Sequence, residues 1–470
     1  MIKDICWMSI LELSKAIYDG KLSPVKVVEA IVNQVKKVNP ELNAIVTLNN
    51  NVFREAEEAE KAVEKGEVKP LPGIPLTIKD NIQTKGIRTT YGSKLFEHYI
   101  PSEDAIVVER LKNAGAIILG KTNLPEFGLI AITDNPLFGV TKNPWDKTRT
   151  PGGSSGGSAV AVATGMGPAS IGNDGGGSIR IPAAFCGVYG FKPSTGRVPS
   201  YPSLPIFQGL HTDGVLSRTV EDAALIMNII AGPDDRDRLS LNFREKPDFL
   251  KNLDKSVEGK KFAFSSDLGY AIVEPEVKEV VEKAAFSLCK AGCDVEEVKI
   301  SLPKIDEELI IKVVSETLTF MEVEDMLDRW KNCAYPAYLS FLQYGESISV
   351  KDYVKVEVKR NQLWNKIRKI FKKYDFLLTP TTAIPPFKIE EGLGPTKING
   401  RNVGFIDWMP FTYPFNFTGQ PAASIPCGFT KEGLPVGLQI VGRYGDDLGV
   451  LQASKAFEKI SPWQDKKPSI

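Results

Sequence analysis

The stretch TPGGSSGGSAVAVATGMGPASIGNDGGGSIRIPA, from Thr150 to Ala183, constrains the fold more than any other part of the chain. It holds two glycine–serine clusters, Gly152 to Ser158 and Gly175 to Ser178. Runs of this kind are commonly flexible linkers set in polar sequence. Here the joining segment AVAVATGMGPASIG is small, apolar and uncharged, and IRIPAAFCGVYGF follows. That context predicts buried backbone, with glycine serving a positive φ or a close approach.

A serine hydroxyl in such a place is a weak nucleophile until a base stands beside it. Gly152-Gly153-Ser154-Ser155-Gly156 satisfies the G-x-S-x-G elbow of α/β-hydrolases, whose histidine base follows the serine in the chain. Of the two histidines, His98 and His211, only His211 follows, and it sits in the turn-like QGLHTDGVLSRT. Neither cluster has the Lys-Ser/Thr of a phosphate-binding loop. The S-x-x-K matches at Ser23 and Ser301 are short and fall at helix starts or loops. Lysine is the other base. Lys79 ends the apolar run IPLTI, and burial lowers a lysine pKa by several units from about 10.4. A structural Lys79 paired with Asp80 is the alternative.

The surroundings read as α/β. Ser9 with Glu12 forms a capping box, and Ser23-Pro24 opens a second helix over VKVVEAIVNQVKKVN. NVFREAEEAEKAVEKG is a third helix, stopped at Gly66. IPLTI and AIILG read as strands around a helix in SEDAIVVERLKNAG, capped by Ser102 and ended by Gly115. TVEDAALIMNIIAG and EPEVKEVVEKAAFSLCKAG read as helices, while KKFAFSSD, DVEEVKIS, YDFLLTP and PAASIPCGF read as strands. In VKRNQLWNKIRKIFKKYD, Leu363, Ile367, Ile370 and Phe371 share one face of a surface helix. This alternation predicts a largely buried sheet in one domain over 1–470: N-terminal helices to about 66, a core over about 70–200, and a substrate cap at about 300–370, where the pattern is least regular.

Fifty-eight basic residues balance fifty-eight acidic ones, so no electrostatic footprint points to nucleic acid or an anionic membrane. No run reaches the roughly 18 apolar residues of a membrane span. Six scattered cysteines read as reduced cytoplasmic thiols, and Cys289 and Cys293 lack further ligands for a metal site.

GIPLTIKDNIQTKGIRTTYGS, GGSSGGSAVAVATG, GNDGGGSIRIPAAFCGVYGFKPSTGRVP and GLPVGLQIVGR together resemble the amidase signature family, and the similarity runs from the N-terminal helices to Phe457. The resemblance implies a large twisted mixed β-sheet covered on both faces by helices. It implies an amidase that cleaves the C–N bond of a small linear amide through a serine acyl-enzyme, with no metal or cofactor. Matched by motif, Ser178 of GGGSIR is the nucleophile. Ser154 is a cis-serine that relays protons, and Lys79 of IKDN is the base. The backbone N–H groups of Gly175, Gly176 and Gly177 form the oxyanion hole. Ser155 supports the network, Asp174 and Arg180 are structural hydrogen-bonding groups, and Ser158 caps or packs the next helix. A homodimer is compatible with this assignment.

Within the family, the glutaminase component of the tRNA-dependent amidotransferase is the alternative. That component carries an Asp about ten residues before the glycine matched here by NFTGQPA; Met409 stands there, with Asp407 nearby. PAYLSFLQYGESISV also lacks the arginine-containing pattern of glutamine recognition, and DWMPFTYPFNFTG favours aryl, aliphatic or oligomeric amides. A non-catalytic scaffold retaining the fold is the third class, disfavoured by the intact Lys79, Ser154 and Ser178 set.

Overall fold

The chain's computed structural model describes residues 4–243 and 245–469. Ser9 and Glu12 form the reciprocal capping box that starts the helix Ile10–Tyr18. Ser23 accepts from the Lys26 N–H and Pro24 takes the first turn of Pro24–Leu42. Between this helix and Val52–Glu64 the chain makes a short edge strand, Ile45–Leu48, which interrupts the expected all-helical N-terminal part. Four residues between two helices carry too little periodicity to announce a strand; pairing with Ile117–Thr122 makes it one.

Among the described residues, eleven strands form one mixed sheet. From one edge, the order is Ile45–Leu48, Ile117–Thr122, Pro75–Lys79, Ala169–Asn173, Asp213–Ser217 and Tyr189–Lys192. It continues with Ala422–Phe429, Pro435–Gly442, Phe376–Pro380, Lys261–Phe264 and Asp294–Glu297. Pro75–Lys79 runs parallel to both neighbours, Ile117–Thr122 and Ala169–Asn173. Every residue of these three strands is buried. Alternate side chains point to opposite faces of a strand, so both faces are covered here.

The helix after Asp104 starts at Ile106 rather than being capped by Ser102: Ala105 takes the cap position and its N–H goes to the Gln83 carbonyl. Asp104 is drawn away by the Lys85 N–H and by Lys112. The irregular segment after residue 300 folds into four helices, Asp306–Val323, Leu327–Lys331, Pro336–Glu346 and Val350–Ile370. Leu363 and Ile367 face inward on the last of them, as the spacing predicts. Among the described residues, no helix is long and apolar enough to cross a membrane.

Candidate active site

Lys79 and Asn173 end neighbouring parallel strands, so their side chains emerge at the same edge of the sheet. Chain loops at the carboxyl ends of parallel strands are where open α/β sheets bind ligands. Lys79 is fully buried. Its Nζ lies 2.6 Å from Ser154 Oγ and donates to Asn173 Oδ1 at 2.7 Å. Asn173 is held in turn by its own Nδ2, which donates to Asn81 Oδ1 at 2.9 Å. No carboxylate pairs with Lys79 among the described residues. Burial therefore dominates and pulls its pKa down to about 7, against the opposing pull of Asp174 and Asp213. A neutral amine has a lone pair, so it can accept from the Ser154 hydroxyl while donating to Asn173.

The first glycine cluster brings Ser154 to this lysine. The Gly153–Ser154 peptide is cis. Gly157 is seated so tightly that a Cβ there would stand 2.4 Å from the Asn123 backbone nitrogen. Ser155 donates its Oγ to the Asn173 carbonyl and its N–H to the Ser178 carbonyl at 3.0 Å, which ties the two clusters together. Ser158 lies inside the helix Gly156–Ala163 and shares a 2.7 Å hydrogen bond with Thr122, so it packs the helix rather than capping it.

The second cluster is wrapped around Asp174. Its carboxylate accepts from the Gly177 and Ile179 N–H groups at 2.7 and 3.1 Å and is clamped by Arg180 Nε and Nη2 at 3.0 and 2.9 Å. Burial alone would raise the Asp174 pKa, but the charge and hydrogen bonds of Arg180 hold it well below the usual carboxylate range. Arg180 also donates to Thr412, Gln439 and Asn416, so the loop that presents Ser178 is anchored to distant parts of the chain. Gly177 has φ +129, and a Cβ on it would meet Thr412 Oγ1 at 2.3 Å. Its N–H is already spent on Asp174, which removes Gly177 from the three glycines expected to donate to an oxyanion. The N–H groups of Gly175, Gly176 and Ser178 donate to nothing among the described residues. Asp174→Asn is expected to cost about 3–5 kcal/mol of unfolding stability, because Arg180 is left uncompensated in full burial. Urea denaturation measures this; a change under about 1 kcal/mol would show that the pair does not organise the loop.

Ser178 stands where two lobes of one cleft meet. One lobe is lined by apolar side chains that include Leu309, Val313, Trp330, Tyr338, Trp408 and Met409. Among the described residues, no charged side chain lines it. Its indole and phenol groups are satisfied elsewhere: Trp330 Nε1 by Glu126, Tyr338 OH by the Glu126 carbonyl, Trp408 Nε1 by the Leu393 carbonyl. The other lobe is more polar and holds Asn81, Ser154, Asn173, His211 and Asp213. His211 stands 3.3 Å from Asp213 and is not joined to either serine. Cys289 is exposed and Cys293 buried, and no cluster of metal-binding side chains occurs among the described residues.

Asn81, Asn173 and Asn416 are parts of the site that the sequence did not announce as functional. The first two sit inside the quoted motifs beside Lys79 and Asp174, but their roles depend on neighbouring strands and not on spacing.

A family model described as Amidase matches residues 26–451. The chain is 37% identical over 474 residues to an acylamidase of Rhodococcus erythropolis, covering 99% of this chain and 98% of that protein. It is equally 37% identical, over 489 residues, to a glutamyl-tRNA(Gln) amidotransferase component of Persephonella marina, covering 98% and 99%. The crystal structure of a bacterial aryl acylamidase superimposes with a TM-score of 0.92 at 33% identity, covering 98% of each chain.

Proposed function

Because the chain belongs to the amidase signature family, we propose that Ser178 is its nucleophile, Ser154 its proton relay and Lys79 its base. The chain is an amide hydrolase acting on the C–N bond of linear amides. The observation that carries the residue roles is the 2.6 Å contact between Ser154 Oγ and a buried lysine whose pKa is pulled down to about 7. In the proposed reaction Ser178 Oγ bonds to the amide carbon. Its proton passes to Ser154, whose own proton moves to Lys79 Nζ. The carbonyl oxygen takes up negative charge facing the N–H groups of Gly175, Gly176 and Ser178, and each such donor contributes about 3 kcal/mol to lowering the barrier. The relay then runs back through Ser154 to the nitrogen, the C–N bond breaks, and the amine leaves. Water repeats the sequence on the acyl-enzyme and frees the carboxylate and Ser178.

The relay also orients the substrate. Ser154 lines the polar lobe and not the apolar one, so the nitrogen it protonates faces the polar lobe. The acyl group then fills the apolar lobe. A free glutamine would bury its α-ammonium or α-carboxylate there without a partner, at a cost of several kcal/mol. Met409 lines that lobe where a glutaminase would carry Asp, and Asp407 is drawn off to Lys304 at 2.7 Å. PAYLSFLQYGESISV, which lacks arginine, supplies Tyr338, Phe341 and Leu342 to the same wall. These features favour an acylamidase over a glutaminase component. We place the enzyme in the cytoplasm on the reading of its scattered thiols.

A panel of amides tests the substrate assignment. Hexanamide and benzamide are expected to exceed acetamide in kcat/KM, by at most roughly fourfold for each methylene buried, with glutamine near background. Preference for glutamine, or for a large apolar amine on an acetyl group over the reverse arrangement, would overturn it.

A further inference from the structure

We propose that Glu126 is a positioning residue that latches the cap helices against the core and so sets the shape of the acyl lobe. Glu126 directly follows the strand Ile117–Thr122 and its loop, and it is fully buried. No lysine or arginine pairs with it among the described residues. Its carboxylate is instead met by three donors from two parts of the fold. Ser93 Oγ and Trp330 Nε1 donate to Oε1 at 2.6 and 3.0 Å, and the Tyr335 N–H donates to Oε2 at 3.0 Å. Tyr338 OH donates to the Glu126 carbonyl at 3.3 Å. Trp330 and Tyr338 line one wall of the apolar lobe, and Gly128 to Ile132, just after Glu126, line another. One carboxylate therefore holds two facing walls in register. Among the described residues, the helices Leu327–Lys331 and Pro336–Glu346 have one further polar tie to this side of the core, Tyr335 OH to Asp134 at 2.8 Å. Apolar packing supplies the rest, including Phe127 edge-on to Trp330 at 5.7 Å. A buried carboxylate without a cation is costly to keep. These three donors offset part of that cost, and their place says what it holds.

This inference rests on the proposed use of the apolar lobe for the acyl group. It is tested with Glu126→Gln and with Ser93→Ala. Gln would turn an N–H₂ toward either the Tyr335 N–H or the Trp330 and Ser93 donors, leaving donors facing each other. Ser93 lies outside the lobe, so its loss weakens the latch without altering the lining. The readout is kcat and KM for hexanamide and acetamide in each variant. Glu126→Gln is expected to lower kcat/KM for hexanamide by about tenfold or more, mainly through KM, and to leave acetamide within about threefold. Ser93→Ala should shift the ratio in the same direction by less. An equal loss on both amides would make Glu126 a general stability residue and overturn the proposal. If Glu126→Gln does not fold, an unchanged hexanamide-to-acetamide ratio in Ser93→Ala overturns it equally. Wild-type turnover separates the two levels: a wild type that does not favour hexanamide removes the acyl-lobe assignment itself, whatever the variants do.

Discussion

Ser178→Ala is expected to abolish amide turnover and covalent labelling by a fluorophosphonate, with a loss of about 10⁴-fold or more in kcat/KM. The protein should stay folded. What Ser178 gives to the architecture is its backbone carbonyl, which accepts from the Ser155 N–H and survives the substitution. The loop around it is fixed by Asp174 and Arg180, not by the Ser178 side chain. Ser154→Ala should also be slow, because the relay to Lys79 is cut, but it keeps a nucleophile that labels at a reduced rate. Intact-mass measurement after labelling distinguishes the serines. Label retained in Ser178→Ala and lost in Ser154→Ala would assign the nucleophile to the G-x-S-x-G serine, and the roles proposed here would be reversed.

The parts of this site that could be read from sequence are those whose chemistry and position coincide in one short segment. Lys79 ends an apolar strand and the serines sit in glycine clusters, so each advertised itself locally. Gly177 shows the limit. Its place in the glycine run marks it as a backbone donor, but whether that N–H is free depends on the direction of Asp174, which spacing does not state. Glu126 shows the same limit more strongly. In KTNLPEFG it is one acidic residue among many, and its meaning comes from Trp330 and Tyr335, some two hundred residues later. The fold follows a similar rule. Helices with caps in the sequence, such as Ile10–Tyr18, were legible to their first residue. The strand Ile45–Leu48 was not, because a four-residue edge strand is made by its partner. Ser102 misled for a local reason: a good capping residue does not cap when the chain is pulled elsewhere by Asp104. The helix Asp306–Val323 does not read as a simple surface helix because Leu309, Val313 and Val314 line the lobe.

Lys79 yields the prediction that most directly separates the proposed mechanism from its rivals. The base must be neutral to accept a proton. With a pKa pulled down to about 7 by burial, Lys79 is half neutral at that pH and fully so well above it. Wild-type kcat/KM is therefore expected to climb about tenfold per pH unit below that pKa and to level off above it. The sign follows from the protonation state: lowering the pH through the pKa fills the Nζ lone pair and closes the relay through Ser154. Lys79→Ala should remove this limb and lower the rate by about 10²- to 10⁴-fold. Lys79→Arg should not restore it, because a guanidinium stays protonated and cannot accept the Ser154 proton. Rate profiles from about pH 5 to 10 for the three enzymes decide the matter. An arginine variant with near wild-type rates and an unchanged profile would make Lys79 a structural cation. The base would then have to be found elsewhere.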